Sequence, residues 1–141
     1  FYYDPSGKKK EFENLNNCVF KKNIKENCLN ADLIILLTER DEFKKIDFSE
    51  KTVAIFGLGD QIGYDEYFVD GIGILAKVVL ENGGKVIGNW PTEDYSFAES
   101  KALVNEDYFY GLPIDQDNED ELTLGRLEKW VEQLKSEIMN D

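Results

Sequence analysis

The sequence predicts an α/β domain in three layers, with a mostly parallel sheet between helices. Three observations predict it. Largely apolar runs occur at Leu33-Ile34-Ile35-Leu36-Leu37, Val53-Ala54-Ile55-Phe56 and Lys85-Val86-Ile87-Gly88. Continuous runs, unlike alternating ones, suit strands covered on both faces. An amphipathic helix lies between the second and third runs, and another closes the chain. Strand, helix and strand in that order make a βαβ unit with a right-handed crossover.

Each element has its own signal. In the first helix Phe68, Ile72, Leu75 and Val79 recur at three- and four-residue spacing, and Val69, Ile74 and Val78 widen the stripe. Asn82-Gly83-Gly84 stops it, because glycine accepts the left-handed conformation at a helix end. In the last helix Leu127, Trp130 or Val131, Leu134 and Ile138 form the buried stripe. Thr123 is placed to cap its start, and Leu122 with Leu127 to staple it. Phe1–Tyr3 reads as the end of a further strand and Val19–Phe20 as a weak one. The opening Phe1-Tyr2-Tyr3-Asp4 falls partway through an apolar strand, so residues before it are expected; no signal peptide is visible. Segment 8–30, rich in Lys and Asn, is the least readable. With 141 residues, residues 1–141 read as a single domain.

Composition narrows the function. The net charge is −13, with 29 Asp+Glu against 16 Lys+Arg, so nucleic acid and anionic lipid are excluded as partners. No apolar run approaches the roughly 20 residues of a membrane span. No histidine is present, which excludes His-based triads and zinc–histidine sites. Cys18 and Cys28 make neither a disulfide framework nor a metal spacing, and reduced thiols point to the cytoplasm.

In α/β folds ligands bind beyond the carboxyl ends of the strands. That rule selects Asp4–Lys9, Thr38–Phe43, Gly57–Phe68, and the segments around Trp90 and Pro113–Asn118. The most informative is Phe56-Gly57-Leu58-Gly59-Asp60-Gln61-Ile62-Gly63-Tyr64. Its glycines allow backbone to approach a flat ligand, and Tyr64 offers an aromatic face. On spacing alone it is first a tight strand-to-helix turn.

The full string Phe56 through Phe68 resembles the loop with which long-chain flavodoxins hold the isoalloxazine ring. Asp47-Phe48-Ser49-Glu50-Lys51-Thr52-Val53 is similar to the family's lead into that strand. Gly88-Asn89-Trp90-Pro91-Thr92-Glu93-Asp94-Tyr95-Ser96-Phe97, Ser100-Lys101-Ala102 and Phe109-Tyr110-Gly111-Leu112 are similar to the insertion that splits its fifth strand. Asp115-Gln116-Asp117-Asn118 and the helix bearing Arg126 and Trp130 resemble its ending. The likeness covers residues 47–138. It implies a flavodoxin-like sheet of order 2-1-3-4-5 with a split fifth strand, and FMN as cofactor. Tyr64 would stack on the ring, Leu58, Gly59 and Asp60 would meet its edge, and Asp117 would lie near the ribityl chain. Gly57, Phe68 and Thr38 complete the implied ring site.

The resemblance also implies where this chain departs. The family holds the phosphate with Thr-x-Thr-Gly-x-Thr; here the stretch is Asp4-Pro5-Ser6-Gly7-Lys8-Lys9. Ser6 and Gly7 match, Asp4 and Lys9 replace threonines, and Lys8 and Lys9 can act as point charges. Lys10–Leu15 leaves room for only a short following helix. After Thr38 the family has a ring-covering loop, often with Trp, and a helix. Here Thr38-Glu39-Arg40-Asp41-Glu42-Phe43-Lys44-Lys45-Ile46 leads almost directly to Asp47, and Phe43 is the substitute cover.

The resemblance therefore implies a monomeric electron carrier, not an enzyme. It would shuttle single electrons between a reductase and acceptor enzymes, docking transiently on their basic faces. The alternative is a degenerate module that works by protein contacts without FMN. A third class, an FMN enzyme with its own substrate, lacks a nucleophile–base pair.

Overall fold

The computed structural model describes residues 7–28, 31, 33–36 and 43–140. Its contacts group the chain into two compact units, residues 1–32 and 33–141, where the sequence reads as one domain.

In the first unit Lys10–Phe12 makes a 3-10 turn and not a longer helix. The helix α1 spans Ile24–Cys28 and has no counterpart among the elements expected from sequence. Asn23 and Glu26 explain it: the Glu26 N–H donates to Asn23 Oδ1 at 2.8 Å, and Asn23 Nδ2 donates to Glu26 Oε1. This is a side-chain box at a helix start. Phe20 makes a single bridge; Phe1–Tyr3 lies outside the described residues.

The second unit is built on one strand. The strands β1 (Ile34–Leu36), β2 (Thr52–Leu58) and β3 (Lys85–Ile87) pair in parallel in that order. Val53, Ala54 and Ile55 are fully buried, as a run covered on both faces requires. Register sets the path of the chain after β3. Thr52 to Ala54 pair with Lys85 to Ile87, and Phe56 to Leu58 pair in parallel with Leu112 to Ile114. Two short strands thus share one edge of β2, which is the expected split fifth strand. Between them the chain leaves the sheet. There β4 (Trp90–Pro91), β5 (Leu103–Asn105) and β6 (Tyr108–Phe109) form a separate antiparallel sheet of order β4-β6-β5, and β7 (Leu112–Ile114) returns to β2. The strand positions expected beyond β1 would involve Phe1–Tyr3, outside the described residues.

Helices cover both faces. The helix α2 (Asp70–Glu81) buries Ile72, Leu75, Ala76 and Val79. Its end is the expected glycine cap: the Gly84 N–H reaches Val79 O at 2.9 Å and the Gly83 N–H reaches Leu80 O at 3.2 Å, with Gly83 at φ 83°. The stripe differs from expectation at its start and on one flank: Phe68 and Val69 precede the helix, and Ile74 is exposed. On the other face α3 (Thr123–Met139) sends Trp130 and Leu134 against Ala54, Ile87, Leu112 and Ile114. The Trp130 indole N–H donates to Gly88 O at 2.7 Å, just where the fifth strand breaks. Val131 and Ile138 are exposed, so the stripe runs through Trp130. Thr123 is not a cap. A 3-10 turn over Asp120–Leu122 feeds the helix, Thr123 is already helical, and its hydroxyl oxygen is buried without a partner.

The insertion lies hard against α2. A Cβ built on Gly73 would stand 1.9 Å from Lys101 O. In an open helix Gly→Ala stabilises by about 1 kcal/mol, but here the clash with backbone outweighs it. Gly73→Ala is expected to lower stability by about 1–3 kcal/mol, the usual cost of overpacking. Urea unfolding followed by circular dichroism checks this; an unchanged or raised midpoint would contradict so close a contact.

Candidate functional site

The carboxyl end of β2 delivers Gly57 and Leu58 into a loop that Asp60 organises. Its Oδ1 accepts the N–H groups of Ile62 at 3.0 Å and Gly63 at 2.7 Å, and its carbonyl accepts the Tyr64 N–H at 3.0 Å. A Cβ at Gly63 would lie 2.2 Å from Asp60 Oδ2, so a side chain there would displace the carboxylate that organises the turn. A 3-10 turn, Asp65–Tyr67, carries the chain toward α2. Val69, at the helix start, has φ 46°. A β-branched residue in the left-handed region is strained by about 1–3 kcal/mol, and Val69 is buried, so packing holds it there.

The loop presents its apolar residues outward. Leu58 is 67% exposed, Ile62 70% and Tyr64 69%. Adjacent exposed apolar side chains mark a binding surface more often than isolated ones do. Leu58 and Tyr64 border a cavity of about 580 Å³ that also touches Gly57, Tyr67 and Ile72. A larger groove of about 860 Å³ runs along the outer side of α2 past Ile74, Lys77 and Leu80. None of its bordering residues comes from the carboxyl end of a strand in the parallel sheet, so the smaller cavity is the candidate site.

Beneath the loop is a carboxylate that sequence reasoning missed. Asp115 is 1% exposed. Its oxygens accept the N–H groups of Gln61 at 3.0 Å, Asp117 at 3.2 Å and Asn118 at 3.1 Å. They also accept the Asn118 side-chain amide, which reaches Asp60 Oδ1 as well at 2.9 Å. Burial pushes the Asp115 carboxyl up, but the hydrogen bonds from Gln61 and Asn118 outweigh it and hold it below the usual carboxylate value. The Asp60 carboxyl is also lowered, first by the Gly63 N–H and then by the Asn118 amide. In sequence Asp115 looks like the start of a solvated acidic stretch; its position directly after the buried Leu112-Pro113-Ile114 was the available signal.

A second layer supports the first. Phe68, Tyr95, Phe97 and Phe109 form an aromatic cluster with centroids 5.3–6.0 Å apart. The Tyr95 hydroxyl donates to Pro113 O at 2.8 Å, and burial pushes its ionisation far up. The Arg126 guanidinium lies 4.4 Å over the Tyr95 ring and pairs with Glu119 at 2.6 Å.

The expected site residues divide accordingly. Gly57, Leu58, Asp60, Tyr64 and Phe68 border the cavity together, with Gly59. Phe68 is fully buried in the aromatic cluster, so its ring supports the loop and is not an open ligand face. Asp117 is exposed in the turn after β7, one residue from Asn118. Gly7, Lys8 and Lys9 belong to the first unit, where Lys8 pairs with Glu13 at 3.5 Å. Ser6 and Thr38 lie outside the described residues, as do Asp4, Pro5 and the Phe43 side chain. Among the described residues there is no cluster able to hold a metal, and no helix is long and apolar enough to cross a membrane.

A parallel sheet with helices on both faces, and a cavity past the end of its central strand, defines a doubly wound α/β protein with a cavity at the position where such folds bind ligands. Comparison with known proteins gives the family. Flavodoxin 1 of Escherichia coli K12 is 46% identical over 98 residues, 70% of this chain and 56% of that protein. A flavodoxin of Nostoc sp. PCC 7120 is 49% identical over 110 residues, 78% of this chain and 62% of that protein. The chain thus spans a little over half the length of these curated relatives. Two crystal structures of Fusobacterium nucleatum flavodoxin bound to flavin mononucleotide, one of them a mutant, superpose with TM-scores of 0.74 and 0.71 at 31% identity. They cover 84% of this chain, and 79% and 81% of theirs. The chain belongs to the flavodoxin family. A family model for the UDP-binding domain of UDP-glucose/GDP-mannose dehydrogenases also matches residues 1–75. That match stops at Leu75, inside α2, and takes in neither β3, the insertion nor α3, all of which belong to the same folded unit as β2.

Both lowered carboxyls make the loop acid-sensitive. Their folded values lie below the unfolded carboxylate value of about 4. The unfolded state therefore binds more protons, and their stabilisation is present above about pH 4 and lost as pH falls through the folded values. Asp115→Ala is expected to cost about 1–3 kcal/mol at pH 7, since it leaves buried donors unsatisfied, and to flatten the acid slope. Unfolding curves from pH 2 to 7 check this. A variant as stable and as acid-sensitive as the parent would contradict the role of Asp115.

Proposed function

We propose that this chain is an FMN-binding, low-potential electron-transfer protein. One observation carries the reading: the exposed Leu58 and Tyr64 border a cavity at the carboxyl end of β2, in a chain of the flavodoxin family. The donor set fits a flat, uncharged ring with a polar edge. Tyr64 supplies an aromatic face, Leu58 an apolar one, and the Gly57–Asp60 backbone runs along the cavity.

In this reading Tyr64 stacks on the ring, and Leu58, Gly59 and Asp60 meet its edge. Asp117 lies toward the ribityl chain, and Ser6, Gly7, Lys8 and Lys9 serve the phosphate, with Thr38 in the loop after β1. The flavin, when bound, supplies the redox chemistry. The protein supplies shape, an apolar contact face and an acidic surround. A net charge of −13 disfavours additional negative charge on the ring, by Coulomb's law, and so lowers its reduction potential. The same charge steers encounters with basic faces of a reductase and of acceptor enzymes, in the cytoplasm. Such docking is transient and its interfaces small, which suits a monomer.

Two measurements test this. Added FMN is expected to lose its fluorescence on titration with the protein; a protein that leaves FMN fluorescent at high concentration sinks the proposal. In the loaded protein Tyr64→Ala is expected to raise the more negative of the two one-electron potentials, because removing the aromatic cover admits water to the charged ring. Potentiometric titration reads this, and an unchanged potential would count against stacking by Tyr64.

A further inference from the structure

Gln61 occupies an anomalous place. Leu58, Ile62 and Tyr64 around it are about two-thirds exposed, yet Gln61 is 5% exposed. Its side chain turns under the loop, where Oε1 accepts the Ser96 N–H at 2.6 Å. Its own N–H donates to Asp115 Oδ2 at 3.0 Å. One residue thus joins three segments far apart in sequence: the loop, the turn after β7, and the insertion.

The insertion continues the attachment. The N–H groups of Ala98 and Glu99 both donate to Asp65 O at 3.0 Å. Ser100 Oγ donates to Phe68 O at 2.5 Å, and the Lys101 N–H donates to Asp70 Oδ1 at 2.8 Å. Residues 96–101 therefore lie as a strap along 61–70, and Gln61 is the point where strap and Asp115 meet.

We propose that Gln61 is a positioning residue for the ring site: it clasps the Gly57–Tyr64 loop between Asp115 and the 96–101 strap, so that the loop is set before a ligand arrives. The physical ground is ordering cost. A loop that must be fixed on binding weakens affinity, and one fixed in advance does not. Exposed apolar loops otherwise belong to the low-stability parts of a fold. The proposal rests on the FMN reading for the identity of the ligand, but the clasp itself is a property of the free protein.

The test uses Gln61→Met, similar in length and without the acceptor, and Ser96→Pro, which removes the donor of the same bond. Amide hydrogen exchange is read on the protein without FMN. Exchange at Ile62, Gly63 and Tyr64 is expected to quicken about tenfold, the scale of one net hydrogen bond. Val79 in α2 and Leu134 in α3 are expected to keep their rates, and the double variant to add little to either single one. Where FMN binds the parent, its dissociation constant is expected to rise about tenfold in Gln61→Met, with an altered visible circular dichroism of the flavin. Unchanged exchange at 62–64, or equal acceleration throughout α2 and α3, would overturn the positioning role. A parent that ignores FMN would overturn the FMN reading, and the exchange experiment would still decide the clasp.

Discussion

The second unit depends on how β2 divides its hydrogen bonds. Residues 52–54 bond to β3 and residues 56–58 to β7, so one strand edge is shared by two segments separated by the whole insertion. A strand must be paired along its length when it is buried on both faces. The division therefore forces the chain to leave after Ile87 and return at Leu112. The Trp130 indole bond to Gly88 O closes the gap from the helix side. The insertion's course is set by where it must start and finish: Ile87 pairs with Ala54 and Leu112 with Phe56, so both ends sit beside the middle of β2.

The parts legible in sequence are those in which burial leaves a continuous or periodic mark. The runs around Val53 and Val86, the stripe Ile72–Leu75–Val79 and the Asn82-Gly83-Gly84 stop all correspond to observed features. The insertion strands are two or three residues long, too short for a period, and only the family resemblance located them. Thr123 misled because a 3-10 turn before it had already begun the helix. Asp115 was hidden because sequence does not distinguish a buried carboxylate from its solvated neighbours; only the converging N–H groups of Gln61, Asp117 and Asn118 do. Phe68 both borders the cavity and packs in the core, a double placement that sequence does not reveal. The Asn23–Glu26 box was present in the sequence and unread.

The loop and its support divide the physical work. Leu58, Ile62 and Tyr64 stay exposed, at a cost in unburied apolar area. Beneath them the buried Gln61 and Asp115 are bonded to each other, and the exposed Asn118 bonds to Asp115 and Asp60. Such a network rigidifies when every member is satisfied and destabilises when one is not. The aromatic cluster below gives it a firm base, with Arg126 held by Glu119 above the Tyr95 ring.

The shared edge of β2 also orders events during folding. Pairing with β3 closes across a single helix, whereas pairing of Phe56 with Leu112 waits for the insertion to be looped out and returned. Contacts that distant form slowly, because chain entropy is lost before they reward it. In the interval the Phe56–Leu58 edge stands open and apolar, a template for pairing with another chain. The segment proposed to meet the ligand in the finished protein is thus also a segment open to intermolecular mispairing in the nascent one.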